Sequence, residues 1–351
     1  VKSWHMLGDP GVMLPGGKLL ARQLAVPTPD APHGHEDLVQ LGWSGEVEWR
    51  AKPGRDKGRM YASRQPPAMQ RSPNPVGYFA PGQAPNSEGR TLVMANEELD
   101  VPAISDHRIL DDFILEFDAD GRTTTFRWFA SDHVDELGFD AEDRQALAAN
   151  PNLNERTGTG DWIHLNAMST LGRNRWYEQD GDQRFHPDNI LISSRQANII
   201  AIISRQTGRV VWRVGPDYSA GQPEHGLDQI VGQHQAHMIP YGLPGAGNIL
   251  LLDNGGLAGY GNDKAIRTHS RVLEVNPITL KKVWEYGGGK ESKANFFTLL
   301  LGGVQRLPNG NTLITEGFNG KVVEVNKAGE QVWTYNTAVG AKGNIGYLYR
   351  A

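Results

Sequence analysis

The stretch Gly302–Tyr335, GGVQRLPNGNTLITEGFNGKVVEVNKAGEQVWTY, decides the fold. It carries three short apolar runs, Thr312–Thr315, Lys321–Val325 and Gln331–Tyr335. Between them lie turn formers: Pro308-Asn309-Gly310-Asn311, Asn319-Gly320 and Lys327-Ala328-Gly329-Glu330. Val323 and Val325 alternate with Glu324 and Asn326, a period of two, and Asn-Gly between such runs is a strong hairpin signal. The pattern predicts a three-stranded antiparallel meander with a fourth strand upstream, around Leu299–Arg306. A lone meander cannot bury its faces and needs neighbours.

The same order recurs through the chain. NILLL, RVLEVN and KVWEY (Asn248–Leu252, Arg271–Asn276, Lys282–Tyr286) repeat it. So do Asn189–Ser193, Ile199–Ser204 and Arg209–Val214, and before them Arg90–Ala95, Leu115–Asp118 and Thr124–Trp128. The earliest copy is Lys18–Arg22, Leu38–Leu41 and Glu46–Trp49. Five copies thus end on Trp49, Trp128, Trp212, Trp284 and Trp333. Four-stranded repeats with an aromatic near each end are the mark of β-propeller blades. Tryptophans scattered over a β-sandwich would not share one place in every copy.

The chain ends complete the pattern. Val1–Met6 resembles a closing strand with nothing before it, and Gly346–Arg350 resembles an opening strand with little after it. Joined in one blade they would close the ring and remove exposed sheet edges. The expected fold is therefore all-β: a six-bladed β-propeller in one domain, 1–351. The copies are expected at about 12–49, 69–128, 161–212, 231–284 and 299–335, with a closing blade from 1–6 and 344–351. A start inside a longer protein is part of this expectation.

Bulk properties narrow the function. Among 351 residues, 42 glycines and 21 prolines suit a turn-rich β architecture. The net charge of −5 and the lack of a basic block argue against a nucleic-acid surface. No apolar run is long enough for a membrane-spanning helix. With no cysteine, disulfides, thiol nucleophiles and Cys-based metal sites are excluded, but the compartment is not fixed. Walker A loops, Gly-x-Ser-x-Gly elbows and dinucleotide fingerprints are absent, and no cofactor is expected.

Insertions point to one end of the ring. Ala25–His35 and the longer Lys52–Glu88 are rich in Pro and polar residues, and Asn174–Pro187 separates two strands as a candidate entrance. Ala141–Asn150 reads as a helix with Asp140 as N-cap. Long loops on a repeat scaffold tend to line or cover a site.

Polar residues cluster on the strands expected to line the axis. His164 and Asn166 in Trp162–Asn166 are two apart and share a strand face. His234 and His237 in Gly232–Met238 are three apart, so a regular strand sends them to opposite faces unless a bulge intervenes. Gln305-Arg306 takes the corresponding place in the last copy. Asn254 precedes Gly255-Gly256, where backbone can approach a ligand closely. Arg195 and Arg271 offer planar forks suited to phosphate or sulfate oxygens. Imidazoles with a guanidinium suit transfer of a highly charged group, although inner-strand histidines also serve simply to satisfy backbone groups. His5, His33, His35, His107 and His225 read as ordinary surface histidines. His234-x-x-His237 with Asp253 is weak as a zinc or manganese site, because spacing shows neither a third ligand brought to the two histidines nor outer partners that would orient them. The Asp-rich Asp111–Asp112 and Asp180–Asp182 match no EF-hand loop. No metal is expected.

Trp162–Asn166, Gln233–Pro240, Leu252–Gly255, Ser270–Glu274 and Gln305–Gly317 together resemble the bacterial arylsulfotransferase family, over roughly Ser3 to Tyr335. The resemblance implies a six-bladed propeller. It implies transfer of a sulfuryl group from a phenolic sulfate ester to a phenol, without the nucleotide donor PAPS, through a sulfated histidine in the central channel. By it, His164 matches an active-site histidine, His234 or His237 supplies a second, and Arg271 is the best-matched arginine. Asn166, Asn254, Arg195 and Gln305 would bind substrate. His164 or His237 would act as nucleophile or acid/base, with Arg271 and Asn254 on the sulfuryl oxygens. One difference from the family pattern is plain: Met60–Gln70, MYASRQPPAMQ, holds no histidine where a His-His-Asp-type segment is expected. The implied compartment is periplasmic or secreted, with cytoplasmic as the alternative, and a homodimer is an allowed assembly. Competing readings are a propeller hydrolase or lyase with histidine as base, and a non-catalytic binding propeller.

Overall fold

Alternating apolar residues and tight turns produce a β-propeller of four-stranded antiparallel sheets. The computed structural model describes residues 11–24, 36–51, 69–216, 227–260, 266–288, 296–337, 348 and 351. Five sheets lie within them. The first is β1 (Val12–Leu14), β2 (Lys18–Leu24), β3 (Glu36–Leu41) and β4 (Val47–Ala51). The second is β5 (Met69–Arg71), β6 (Thr91–Leu99), β7 (Ile109–Phe117) and β8 (Thr124–Phe129). The third is β9 (Leu165–Thr170), β10 (Ile190–Ser194), β11 (Ile199–Ile203) and β12 (Val210–Val214). The fourth is β13 (His234–Met238), β14 (Ile249–Asp253), β15 (Arg271–Val275) and β16 (Lys282–Gly287). The fifth is β17 (Gly303–Arg306), β18 (Thr312–Glu316), β19 (Lys321–Val325) and β20 (Gln331–Asn336). Strand order within each sheet is chain order. The first strands gather at the axis, β13 lying against β9 and β17, and β9 against β5.

The core is a series of slabs between successive sheets, because alternate residues of one strand face opposite neighbours. Ile190 and Ile192 of β10 pack with Leu92, Met94 and Ile114 of the second sheet. Leu191, between them, packs with Ile249, Leu251 and Leu273 of the fourth. Leu250 and Leu252 in turn face Val304, Ile314 and Val323 of the fifth. No sheet is stable alone, since each buries both faces of its middle strands.

The tryptophan endings have a physical cause. The Trp212 indole N–H donates to the Pro277 carbonyl, at 2.8 Å, in the β15–β16 turn of the following sheet. Trp284 donates to the Lys327 carbonyl, at 2.9 Å, in the β19–β20 turn of the sheet after that. Trp49 lies over Gly121 in the β7–β8 turn, where a Cβ would collide with its ring. An outer-strand bulge directly precedes Trp49, Trp212, Trp284 and Trp333. In the second sheet the residue after that bulge is Phe126, not Trp128. Phe126 sits under the Arg205 guanidinium of the β11–β12 turn, and Trp128 instead stacks on His133. Trp128 therefore lies two residues out of the expected register. Trp333 of the last described sheet is 49% exposed.

Other expectations are refined. Five sheets are described rather than six. The segments expected to form the closing blade, 1–6 and 344–351, lie outside the described residues except for Leu348 and Ala351. The Leu348 N–H donates to the Gly317 carbonyl, and the Ala351 N–H to Thr315 Oγ1 at 3.1 Å, so both lean on the fifth sheet. β6 and β7 are nine residues long, longer than the apolar runs suggested. Asp111 and Asp112 hide that length; they sit within β7, not in a cation-binding turn. Helix α1 (Ala141–Ala149) has the predicted cap, Asp140 accepting from the Asp143 N–H at 2.8 Å. No helix among the described residues is long and apolar enough to cross a membrane.

Replacing Trp212 by Phe keeps the ring but leaves the buried Pro277 carbonyl without its donor. The expected loss is about 1 kcal/mol in urea denaturation. Trp333→Phe, half-exposed, should stay within about 0.5 kcal/mol of wild type. Equal costs would contradict the latch.

Candidate functional site

Three non-glycine residues with left-handed backbone stand at or just before the inner strands of consecutive sheets: His164 (φ 46), Gln235 (φ 48) and Leu301 (φ 62). Such strain persists only where the surroundings over-determine it, and it collects at working sites. The His164 carbonyl accepts from the Arg195 N–H at 3.0 Å, and the Leu301 carbonyl from Asn254 Nδ2 at 2.9 Å.

His234, at the start of β13, is fully buried. Its Nδ1 faces the Asn254 Oδ1 at 2.8 Å and the Gly232 carbonyl at 3.1 Å. Asn254 Nδ2 donates to the Thr298 and Leu301 carbonyls, at 2.8 and 2.9 Å, which turns its oxygen to the imidazole. Both neighbours of Nδ1 are acceptors, so Nδ1 carries the proton. Nε2 is then a bare lone pair, buried and without a hydrogen-bond partner among the described residues. Burial pushes the His234 pKa down to about 3, the Asn254 contact opposing; nearby Arg195 and His164 lower it further. The ring is neutral at physiological pH.

His164 presents a different imidazole. Its Nδ1 meets Asp161 Oδ2 at 2.5 Å. The ring is 14% exposed and the carboxylate 12%. Tyr260 Oη donates to the Trp162 carbonyl and Ser194 Oγ to the Ile163 carbonyl, fixing this segment. Arg195 follows β10 and donates to the Leu257 carbonyl at 3.0 Å. Burial lowers its pKa, and Asp161 opposes the shift. A second carboxyl, Asp112 of β7, accepts from the Leu165 N–H at 2.6 Å. Burial first, then Asp161, raises its pKa well above the usual range. His164, Asp161, Arg195, His234 and Asn254 thus form one electrostatic cluster at the end where inner strands begin.

The remaining expected residues fall elsewhere. A bulge on β13 sets His234 opposite Leu252 and His237 opposite Leu250, so both imidazoles share a face. His237 donates from Nδ1 to the Gln235 carbonyl at 3.0 Å and stacks on Tyr78, ring centroids 4.4 Å apart. His164 and Asn166 are not a same-face pair, because β9 starts at Leu165 and bulges at Asn166. Asn166 Nδ2 donates to the Gln233 carbonyl at 2.6 Å, bridging the third and fourth sheets. Gln305 accepts from the Phe79 N–H at 3.0 Å and donates to the Ala351 carbonyl at 2.9 Å.

Arg271 is not brought to the cluster. On β15, its Nε donates to Asp253 Oδ2 at 2.8 Å and its Nη2 to the Gln229 carbonyl at 2.9 Å. Asp253, also held by Arg267, accepts from the Val231 N–H at 2.9 Å. Both Asp253 oxygens are thus engaged by the chain's own donors. Gly255-Gly256 admits the chain's own carbonyls, of His269 and Leu299, rather than a ligand. Asn174–Pro187, containing α2 (Arg175–Glu178), joins β9 to β10 at the end opposite His164, so it is no entrance to this cluster.

Asp161 and Gln235 escaped sequence reasoning, and Asp112 was read only as part of an Asp-rich turn. Asp161 stands three residues before His164, a spacing that has no meaning on a strand; only the turn at His164 joins them. The arm Gly77–Phe79, which reaches the axis from the β5–β6 connection, lies within the long insertion that was expected to cover a site.

The arylsulfotransferase (ASST) family description matches residues 12–338. No curated protein sequence matches the chain. Among solved structures, the Dos1 propeller is 8% identical at a TM-score of 0.44, covering 93% of this chain and 57% of that one. The chain thus spans little more than half of that relative. A virginiamycin B lyase from Staphylococcus aureus is 10% identical at a TM-score of 0.41, covering 96% and 86%. A europium-containing methanol dehydrogenase is 10% identical at 0.40, covering 95% and 69%. At these values the likenesses carry nothing about chemistry.

A sign follows for pH. The unfolded chain protonates His234 near its ordinary value of 6.5, whereas the folded one holds it neutral down to about 3. Between these values the unfolded state binds the extra proton, so acidification costs the fold up to about 1.4 kcal/mol per pH unit from this group. His234→Gln should flatten the denaturation slope across that window relative to wild type. An unchanged slope would contradict the buried neutral ring.

Proposed function

The chain belongs to the arylsulfotransferase (ASST) family, and we propose that it moves a sulfuryl group from a phenolic sulfate ester to a phenol through His234. The observation that carries this reading is the buried, bare Nε2 of His234, held ready by a proton fixed on the other nitrogen. A neutral imidazole lone pair out of water is a competent nucleophile.

In the first half-reaction Nε2 attacks sulfur and the sulfur–oxygen bond to the phenol breaks. His164 serves as the acid that gives a proton to the departing oxygen, and Asp161 orients that ring. Positive charge growing on the His234 ring is met by Asn254 Oδ1 at the Nδ1 proton. Arg195, whose guanidinium makes one hydrogen bond among the described residues, has further donors for the sulfuryl oxygens. In the second half-reaction His164 takes the acceptor phenol's proton, the phenolic oxygen attacks sulfur, and His234 is restored. Relative to the sequence expectation, Arg195 takes the role assigned to Arg271, and His234 that of nucleophile.

Release of a chromogenic phenol from its sulfate should require an added acceptor phenol at saturation. His234→Ala should abolish it, and His164→Ala should slow it by about 10²- to 10⁴-fold. Release at the same rate without acceptor would favour a hydrolase; full activity in a folded His234→Ala variant would remove His234 from the chemistry.

A further inference from the structure

Gln235 occupies a position that, by backbone alone, asks for glycine. Its φ of 48° lies where L side chains are strained, yet a long amide stands there. Both ends of that amide are engaged across the axis. Oε1 accepts from the Val304 N–H of the fifth sheet at 2.9 Å, and Nε2 donates to the Gly77 carbonyl of the arm from the second sheet. Only one orientation of the amide satisfies both partners. Gly303 makes room for it, since a Cβ there would overlap Gln235 Oε1. The Gln235 carbonyl accepts from His237 Nδ1 at 3.0 Å.

We propose that Gln235 is a positioning residue for His234: its side chain ties the second, fourth and fifth sheets together and thereby holds β13 in the bulge that places both imidazoles on one face. A glycine would form the same bulge without strain, so packing alone does not explain a glutamine. Pairing advances three positions along β13, from His234 to His237, for two along β14, from Leu252 to Leu250. Without the brace, regular pairing returns, and a one-residue slip sends one imidazole to the other face. The proposal rests on the reading of His234 as the reacting group.

Two variants cut the brace from opposite sides. Gln235→Gly tolerates the backbone but loses both amide contacts, and Gly303→Ala fills the amide's seat while Gln235 remains. Long-range ¹H–¹⁵N correlation reads which His234 nitrogen bears the proton. Wild type should show Nδ1–H alone, and both variants a mixture of tautomers. With an aryl sulfate and phenol, kcat should fall about a hundredfold in each, the loss expected for misplacement near 1 Å, with KM little changed. The double variant should lose no more than either single one. Retention of the wild-type spectrum and kcat in both single variants would overturn the brace, and so would additive losses in the double variant. If wild type turns over no aryl sulfate, the spectra alone decide the brace, so its failure and that of sulfuryl transfer are told apart.

Discussion

A buried imidazole whose one nitrogen sees only acceptors has a single neutral tautomer open to it. That constraint at His234 governs the rest of the site. The Gly232 carbonyl and Asn254 Oδ1 fix the proton on Nδ1. The Asn254 amide is itself aimed by two carbonyls from the segment leading into the fifth sheet. The reactive lone pair is thus defined by backbone carbonyls of two sheets, not by a side-chain pair alone. His164 is the complementary case. A carboxylate sits on its Nδ1 and orients the ring, where the His234 Nδ1 meets only neutral acceptors. Two histidines in opposite electrostatic settings can divide nucleophile and acid–base roles.

The propeller supplies these settings because its first strands converge. Each sheet contributes the start of one strand and the end of the next, so a few residues from several sheets meet over a short distance. The cost is a crowded axis, visible as left-handed backbone at His164, Gln235 and Leu301 and as a glycine at Gly303. Away from the axis the burden shifts to cross-sheet links. Indole N–H groups reach the turns of the following sheet, and the buried Glu274–Arg306 pair, at 2.7 Å, joins the fourth sheet to the fifth. Breaking one partner of such a pair costs far more than the pair itself contributes.

Most of the fold was legible in the sequence, since period-two alternation and Asn-Gly or Asp-Gly turns are local signals. The strands around Trp49, Trp212, Trp284 and Trp333 fall where the repeat places them. Trp128 misled because an aromatic two residues away, Phe126, holds the equivalent position, and spacing cannot tell which ring meets the next sheet. The site was legible as residue types rather than as contacts. His164, His234, Asn254 and Arg195 were all visible. Arg271 drew attention as a fork of donors, and nothing local revealed that Asp253 claims it. The bulge at Gln235 and the turn that brings Asp161 to His164 are backbone events set by neighbours distant in sequence, so no periodicity reports them.

The central claim is a covalent one. Protein incubated with an aryl sulfate and no acceptor, quenched and digested, should yield a peptide containing His234 with one added sulfuryl group, which disappears when phenol is supplied before quenching. A sulfuryl group found on His164 or His237, or on no residue while phenol is being released, would contradict the assignment of His234 as the carrier.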